Sequence, residues 1–202
     1  MNILVTGFEP FGGESTNPSM ELVRALEPQI GAAHIHTAIL PVTASGGLQA
    51  ALRAIEKIGP DAVVCVGQAG GRCAVTVERV AVNVDDFSIP DNEGQQPRNV
   101  PIVEGGPDAY LSTLPIHEMV EAMRGAGVPA AVSNSAGAYV CNHVMYGVAH
   151  YLHQHRPTAR SGFVHIPYLP QQVLDKPDKP SVGLELALRG LTAGLEVLAA
   201  FK

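Results

Sequence analysis

The sequence predicts a doubly wound α/β fold, and three observations carry that prediction. Apolar strand-like runs alternate with segments whose apolar residues recur every three to four positions, in the order strand, helix, strand, helix, strand. One run, Asp61-Ala62-Val63-Val64-Cys65-Val66-Gly67, is almost continuously apolar, as a central parallel strand covered on both faces must be. The 202 residues, 46% of them hydrophobic, suffice for one full core. No repeat or break in composition divides the chain, so residues 1–202 are expected to form a single domain.

Taken in order, residues 3–5 read as a buried strand, followed by the loop Gly7-Phe8-Glu9-Pro10-Phe11-Gly12-Gly13. Phe8 and Phe11 either anchor that loop to the core or wall a pocket. Asn17-Pro18 is a helix start, with Asn as cap and Pro at the first helical position. That helix turns Leu22, Val23 and Leu26 inward. Residues 34–40 alternate as a strand; Leu48, Leu52 and Ile55 mark a helix closed by Gly59-Pro60. Gly67-Gln68-Ala69-Gly70-Gly71-Arg72 is Gly-rich but lacks the pattern of a phosphate loop or a dinucleotide fingerprint. Residues 75–84 alternate as one strand with Glu78 inside it. That carboxylate is either solvent-facing, paired with Arg79 or Arg72, or a buried partner for a histidine.

Residues 85–108 are polar and rich in Pro and Gly, a length that marks a functional loop, a lid or a subunit contact. Pro115, Ile116, Met119, Val120 and Met123 mark the next helix. An apolar run at 128–132 leads through Ser133-Asn134-Ser135-Ala136-Gly137-Ala138-Tyr139-Val140-Cys141-Asn142 into a helix carrying Val144, Val148 and Tyr151. Cys141 thus falls in a first helical turn, where partial positive charge favours a thiolate. Ser161-Gly162-Phe163-Val164-His165-Ile166-Pro167 is a further buried strand. Leu184, Leu188, Leu191, Leu195 and Leu198 give the last helix one apolar face. The loops after Phe8, Gly67 and Ser133 all follow strand carboxyl ends, where open α/β sheets bind ligands.

Composition narrows the function. Net charge is −6 and no Lys/Arg cluster occurs, which argues against nucleic-acid binding. No apolar run has the length of a membrane span. The first residues read as a strand with no signal peptide ahead, and three cysteines without C-x-x-C suit a reducing, cytoplasmic setting. Only 16% of residues are charged, so self-association is expected.

A thiol hydrolase needs a nucleophilic cysteine, a histidine to handle its proton and a polar group to orient the imidazole. Cys141, His165 and Glu78 are the candidates. Each has a competing structural reading: a small core cysteine, a hydrogen-bonded core histidine, a solvated glutamate. Cys65 among valines reads as core. His150, His153 and His155 could pair on a metal, but no H-E-x-x-H or spaced carboxylate supports one, so no metal site is expected. Ser133 and Ser135 lack the G-x-S-x-G frame of a serine nucleophile.

The Gly7–Gly13 and Asn17-Pro18-Ser19 segments, Gly67-Gln68-Ala69-Gly70-Gly71-Arg72, Glu78-Arg79-Val80-Ala81-Val82-Asn83, Ile89-Pro90-Asp91-Asn92, the Cys141 stretch and Gly162–Pro167 together resemble the pyroglutamyl peptidase I family, the pyrrolidone-carboxylate peptidases. The resemblance runs through most of the chain. It implies an α/β/α sandwich with a mostly parallel twisted sheet and helices on both faces. It also implies a cysteine peptidase that removes N-terminal pyroglutamyl residues, needs no cofactor, is cytoplasmic and is often a tetramer. The family's catalytic residues fall on Glu78, Cys141 and His165. Its substrate pocket falls on Phe8, Phe11 and Gln68, with Tyr139 in place of a third usual Phe and Thr43 and Ile89 as further matches. Ser88 stands where some members carry Arg near the reacting carbonyl, which leaves the oxyanion to backbone N–H groups.

Pyroglutamate is a flat, uncharged lactam, so its site should be apolar and aromatic, as Phe8, Phe11, Tyr139, Val140 and Ile89 would make it. Groups near Gln68 or Asn17 would pair the ring N–H and C=O. An ordinary amino terminus would bring a charged amine and a steep desolvation cost. Two other classes fit the same elements: an α/β enzyme of nucleosides, which would need a phosphate site, and a non-catalytic small-molecule binding module.

Overall fold

A cap decides the first helix. The Asn17 side chain accepts from the Ser19 N–H at 3.0 Å and Pro18 opens the helix, as the sequence predicts. In the computed structural model, which describes residues 1–201, the chain begins β1 Asn2–Phe8, α1 Pro18–Ala25, β2 Gln29–Ile30, β3 Ala33–Leu40, α2 Ala44–Ile58, β4 Ala62–Gln68, β5 Val75–Glu78 and β6 Val80–Val82. It continues β7 Ala109–Leu111, α3 Ile116–Gly125, β8 Ala130–Ser133, α4 Val140–His155, β9 Arg160–Ile166, a 3-10 turn Pro170–Val173 and α5 Leu184–Ala200.

Seven strands form one sheet in the order β2-β3-β1-β4-β9-β5-β8. The pairs β1–β3, β1–β4, β4–β9 and β5–β8 are parallel, while β2–β3 and β5–β9 are antiparallel. β4 lies near the centre and its residues 62–67 are all buried, which explains the unbroken apolar run. Helices α1, α3 and α5 pack Leu22, Met119, Met123, Leu191 and Leu195 against one face. Helices α2 and α4 pack Ile55, Val144, Val148 and Leu152 against the other, with Phe87 of the long loop beside them. This is an α/β/α sandwich on a mostly parallel sheet. No described helix is long and apolar enough to cross a membrane.

Two expectations need correction. The alternating stretch 75–84 is not one strand: it breaks at Arg79, β5 joins the main sheet, and β6 pairs with β7 in a separate two-stranded sheet. Alternation reports which residues face alike, not which strand they pair with. β8 also runs against β4 and β9, because β5 and β8 are reversed in the sheet. Its end therefore does not share an edge with the ends of β1 and β4; residues 134–139 carry the chain back to the site.

Candidate active site

Cys141 is the second residue of α4. The helix can start there because Gly137 adopts φ +83°, a conformation that only glycine takes without strain. Tyr139, the N-cap, supplies no side-chain cap, so the N–H groups of the first turn keep no side-chain partner there. The next residue fixes the turn in place. Asn142 is fully buried; its Oδ1 accepts from Val82 N–H at 3.0 Å, and its Nδ2 donates to Val82 O at 2.9 Å and Val84 O at 3.0 Å. The sulfur lies against the end of β4: a Cβ added at Gly67 would sit 3.0 Å from Cys141 Sγ.

His165 and Glu78 meet across β9 and β5. Thr76 faces His165 in register, so Glu78, two residues on, reaches the same histidine diagonally. Glu78 Oε1 lies 2.8 Å from His165 Nδ1, with the glutamate side chain fully buried and the histidine 4% exposed. Arg72, from the Gly-rich loop, also pairs with Glu78 Oε1, bonds Thr76 Oγ1 and donates to Ser135 O at 3.0 Å. Of the two alternatives for Glu78, the structure has the buried histidine partner and the Arg72 pair together, whereas Arg79 bonds Asn134 instead. His143, near Cys141 in sequence, is committed elsewhere, to Asp85 at 2.8 Å.

A cavity of about 440 Å³ opens over these groups, and both Cys141 and His165 line it. Phe8, Phe11, Asn17, Gln68, Tyr139 and Val140 line it too. Phe8 is at once anchor and wall: 2% exposed, with its ring 6.2 Å from Phe163. Phe11 faces Tyr139 at 5.9 Å. Thr43 and Ile89, expected in the lining, are absent from it. Thr43 is the buried N-cap of α2, and its neighbour Val42 faces the cavity. Ile89 is 41% exposed on the long loop. Val42 is a lining residue that the sequence does not single out, and Arg72, read there as a possible partner of Glu78, lines the cavity as well.

The loop 85–108 is tied down around this site. Asn92 donates to Glu9 and Pro10 and takes up Val42 O, Asp91 receives Ala44 N–H, and Tyr139 donates to Pro90 O at 3.1 Å. Buried Phe87 packs edge-on against Tyr139 at 4.6 Å. The segment therefore backs the aromatic wall.

Burial sets the electrostatics. It pushes the Cys141 thiol up, to about 12, and the Glu78 charge adds to this; Arg72 and a backbone N–H oppose without cancelling. Burial also holds His165 below its ordinary 6.5, with the Glu78 bond opposing. For Glu78 burial works against the charged form, but the bond and charge of His165, with hydrogen bonds from Ser133 and Arg72, together outweigh it and keep the carboxyl below 4.5. Against the thiolate that the helix terminus favours, both shifts favour a neutral thiol beside a neutral imidazole. Cys65 is core, as read, and burial pushes it up to about 11. Among the described residues no cluster of three His, Cys, Asp or Glu side chains is placed to hold a metal ion.

Comparison with known proteins places this site in context. The profile of the family described as "Pyroglutamyl peptidase" matches residues 1–201. The chain is 48% identical to pyrrolidone-carboxylate peptidase 1 of Caldanaerobacter subterraneus subsp. tengcongensis, over 98% of each chain. It is 50% identical to the pyrrolidone-carboxylate peptidase of Alkaliphilus oremlandii, over 96% of this chain and 92% of that one. Among solved structures, pyroglutamyl peptidase I of Bacillus amyloliquefaciens superposes with a TM-score of 0.95 at 45% identity, over 98% of this chain and 97% of that one. The pyrrolidone carboxyl peptidase of Thermococcus litoralis does so with 0.95 at 37% identity, over 99% and 94%.

Proposed function

The chain belongs to the pyroglutamyl peptidase family, and from that premise we propose that Cys141, His165 and Glu78 carry out its reaction in the cavity described above. It is a cysteine-type peptidase that removes N-terminal pyroglutamate from peptides. The observation that carries the residue assignment is the shared cavity: Cys141 and His165 both line it, and Glu78 holds His165 Nδ1 from behind at 2.8 Å.

On this reading the lactam ring lies between Phe8, Phe11 and Tyr139. His165 Nδ1 is occupied, so Nε2 takes the Cys141 proton as the sulfur attacks the pyroglutamyl carbonyl. A neutral pair suits this order, since charge then develops only when substrate is in place. Uncapped N–H groups of the first α4 turn hold the oxyanion. His165 gives its proton to the leaving amine, and a pyroglutamyl thioester remains on Cys141. Water, deprotonated by His165, then releases pyroglutamate and the free thiol. Glu78 fixes the tautomer and stabilises the imidazolium formed at each step. Thr43 and Ile89, outside the lining, act at most through Val42 and the long loop. We assign the enzyme a cytoplasmic setting and a homo-oligomeric, tetrameric state, in keeping with the free thiols and low charge content.

The test is release of a fluorescent amine from a pyroglutamyl coumarin amide, with and without prior alkylation. Turnover that vanishes as Cys141 is alkylated, with acid-quenched enzyme carrying a pyroglutamyl group on the Cys141 peptide, is the expected result. Turnover that survives full alkylation of Cys141 contradicts the assignment.

A further inference from the structure

One polar wall of the cavity is set from behind. Gln68, the last residue of β4, lines the cavity, and its Oε1 accepts from Gln172 Nε2 at 2.8 Å. Gln172 belongs to the 3-10 turn, is 5% exposed and does not line the cavity. The orientation of both amides follows from groups that have only one role. Leu169 N–H can only donate, and it meets Gln172 Oε1 at 2.9 Å. The other end of Gln172 is therefore its NH₂. That nitrogen also faces two pure acceptors, Thr16 O at 3.3 Å and a Glu14 carboxylate oxygen at 3.4 Å. Gln68 must then meet Gln172 with its oxygen, and its own NH₂ is the end left for the cavity. No acceptor within the described residues takes it.

The turn bearing Gln172 is itself held, since Lys176 Nζ bonds both Gln172 O at 2.7 Å and Glu14 at 2.8 Å. Asn17 adds no competing acceptor. Its Oδ1 is occupied by Ser19 N–H and Ser19 Oγ, and its Nδ2 donates to Glu9 O. The side-chain amides of the wall thus offer donors and no free oxygen.

We propose that Gln172 is a specificity-positioning residue, which locks Gln68 in the one amide orientation that donates to a ring carbonyl. The inference rests on the pyroglutamyl reading, because the lactam C=O is the group that would receive this donor. It makes recognition of the lactam depend on a residue that never touches it. Without the lock, Gln68 can turn over and present its oxygen to the lactam oxygen, leaving both acceptors unpaired.

Gln172→Glu tests this. The carboxylate still accepts from Leu169 N–H but offers Gln68 no donor, so the Gln68 amide reverses to bond it. The expected result is a KM for pyroglutamyl coumarin amide about tenfold higher, kcat changed less than about threefold, and 2-pyrrolidone inhibiting about tenfold more weakly. Adding Glu14→Gln removes repulsion from the neighbouring carboxylate, and the KM rise should persist. If Gln172→Glu does not fold, Gln172→Met removes the same donor and should raise KM about threefold, again with kcat held. Wild-type KM and 2-pyrrolidone inhibition in a folded Gln172 variant would overturn the proposal. Reversal of the KM rise by Glu14→Gln would also overturn it. Failure of the wild-type enzyme to cleave the amide would instead remove the reading on which it rests.

Discussion

His165 stands under two influences that pull its charge in opposite directions. Burial favours the neutral ring, and the Glu78 carboxylate favours the imidazolium. A ring balanced in this way can take a proton and return it, which is what acyl transfer through Cys141 asks of it. Under the proposed scheme His165→Ala should lower kcat by about 10⁴-fold, the upper range for a positioned acid–base group. Glu78→Gln should cost less than His165→Ala, because Arg72, which can only donate, keeps the amide oxygen turned to accept from Nδ1–H. Steady-state kinetics on the two variants decides this, and the reverse ranking would mean that Glu78 does more than orient the ring. The three residues were legible as residue types at strand and helix ends. The direction of the Cys141 and His165 shifts was not, because burial depends on packing that no local spacing reports. A helix terminus favours the thiolate, while burial of Cys141 works the other way.

At the scale of elements, α4 is placed by Asn142 as much as by its apolar stripe. Two hydrogen bonds tie that buried side chain to Val82 of β6 and a third ties it to Val84 just beyond. Asn142→Ala would orphan one N–H and two C=O groups, a loss of about 2–4 kcal/mol in denaturant-derived stability. Because Asn142 follows Cys141, kcat should fall as well. A loss under about 0.5 kcal/mol would show that solvent replaces the bonds and that β6 does not position the nucleophile. Much of this level could be read from the chain: the Asn17-Pro18 cap, the apolar β4, and the small-residue junction before Cys141. β2 and β7 could not, since strands of two and three residues carry no periodicity. The break at Arg79 was hidden because β6 keeps the alternation of β5 while pairing with β7.

At the scale of the molecule, one sheet between two helical layers brings the ends of β1 and β4 to the cavity, and the reversed β5 brings Glu78 to His165. Layering was legible from the order of elements. Strand direction was not, because it is set by partners far away in sequence. This arrangement ties stability to pH. His165 and Glu78 both have folded values below their ordinary 6.5 and 4.5, so the unfolded chain binds their protons more readily. The stabilisation from His165 is full above about pH 6.5 and is lost as pH falls below it; that from Glu78 is full above about pH 4.5 and lost below. Thermal unfolding should show a midpoint that drops from pH 7 to pH 5, with a smaller drop in His165→Ala. A midpoint that holds or rises over that interval would show His165 to be free to ionise in the fold.

The central claim is that Cys141 Sγ is the atom that attacks. Cys141→Ala removes the sulfur and little else, from a site enclosed by Phe8, Gln68, Tyr139 and His165. The account predicts that this variant unfolds cooperatively with a midpoint near that of the wild type and releases no coumarin from the pyroglutamyl amide above the uncatalysed rate. Folded Cys141→Ala that turns over at the wild-type rate would contradict it.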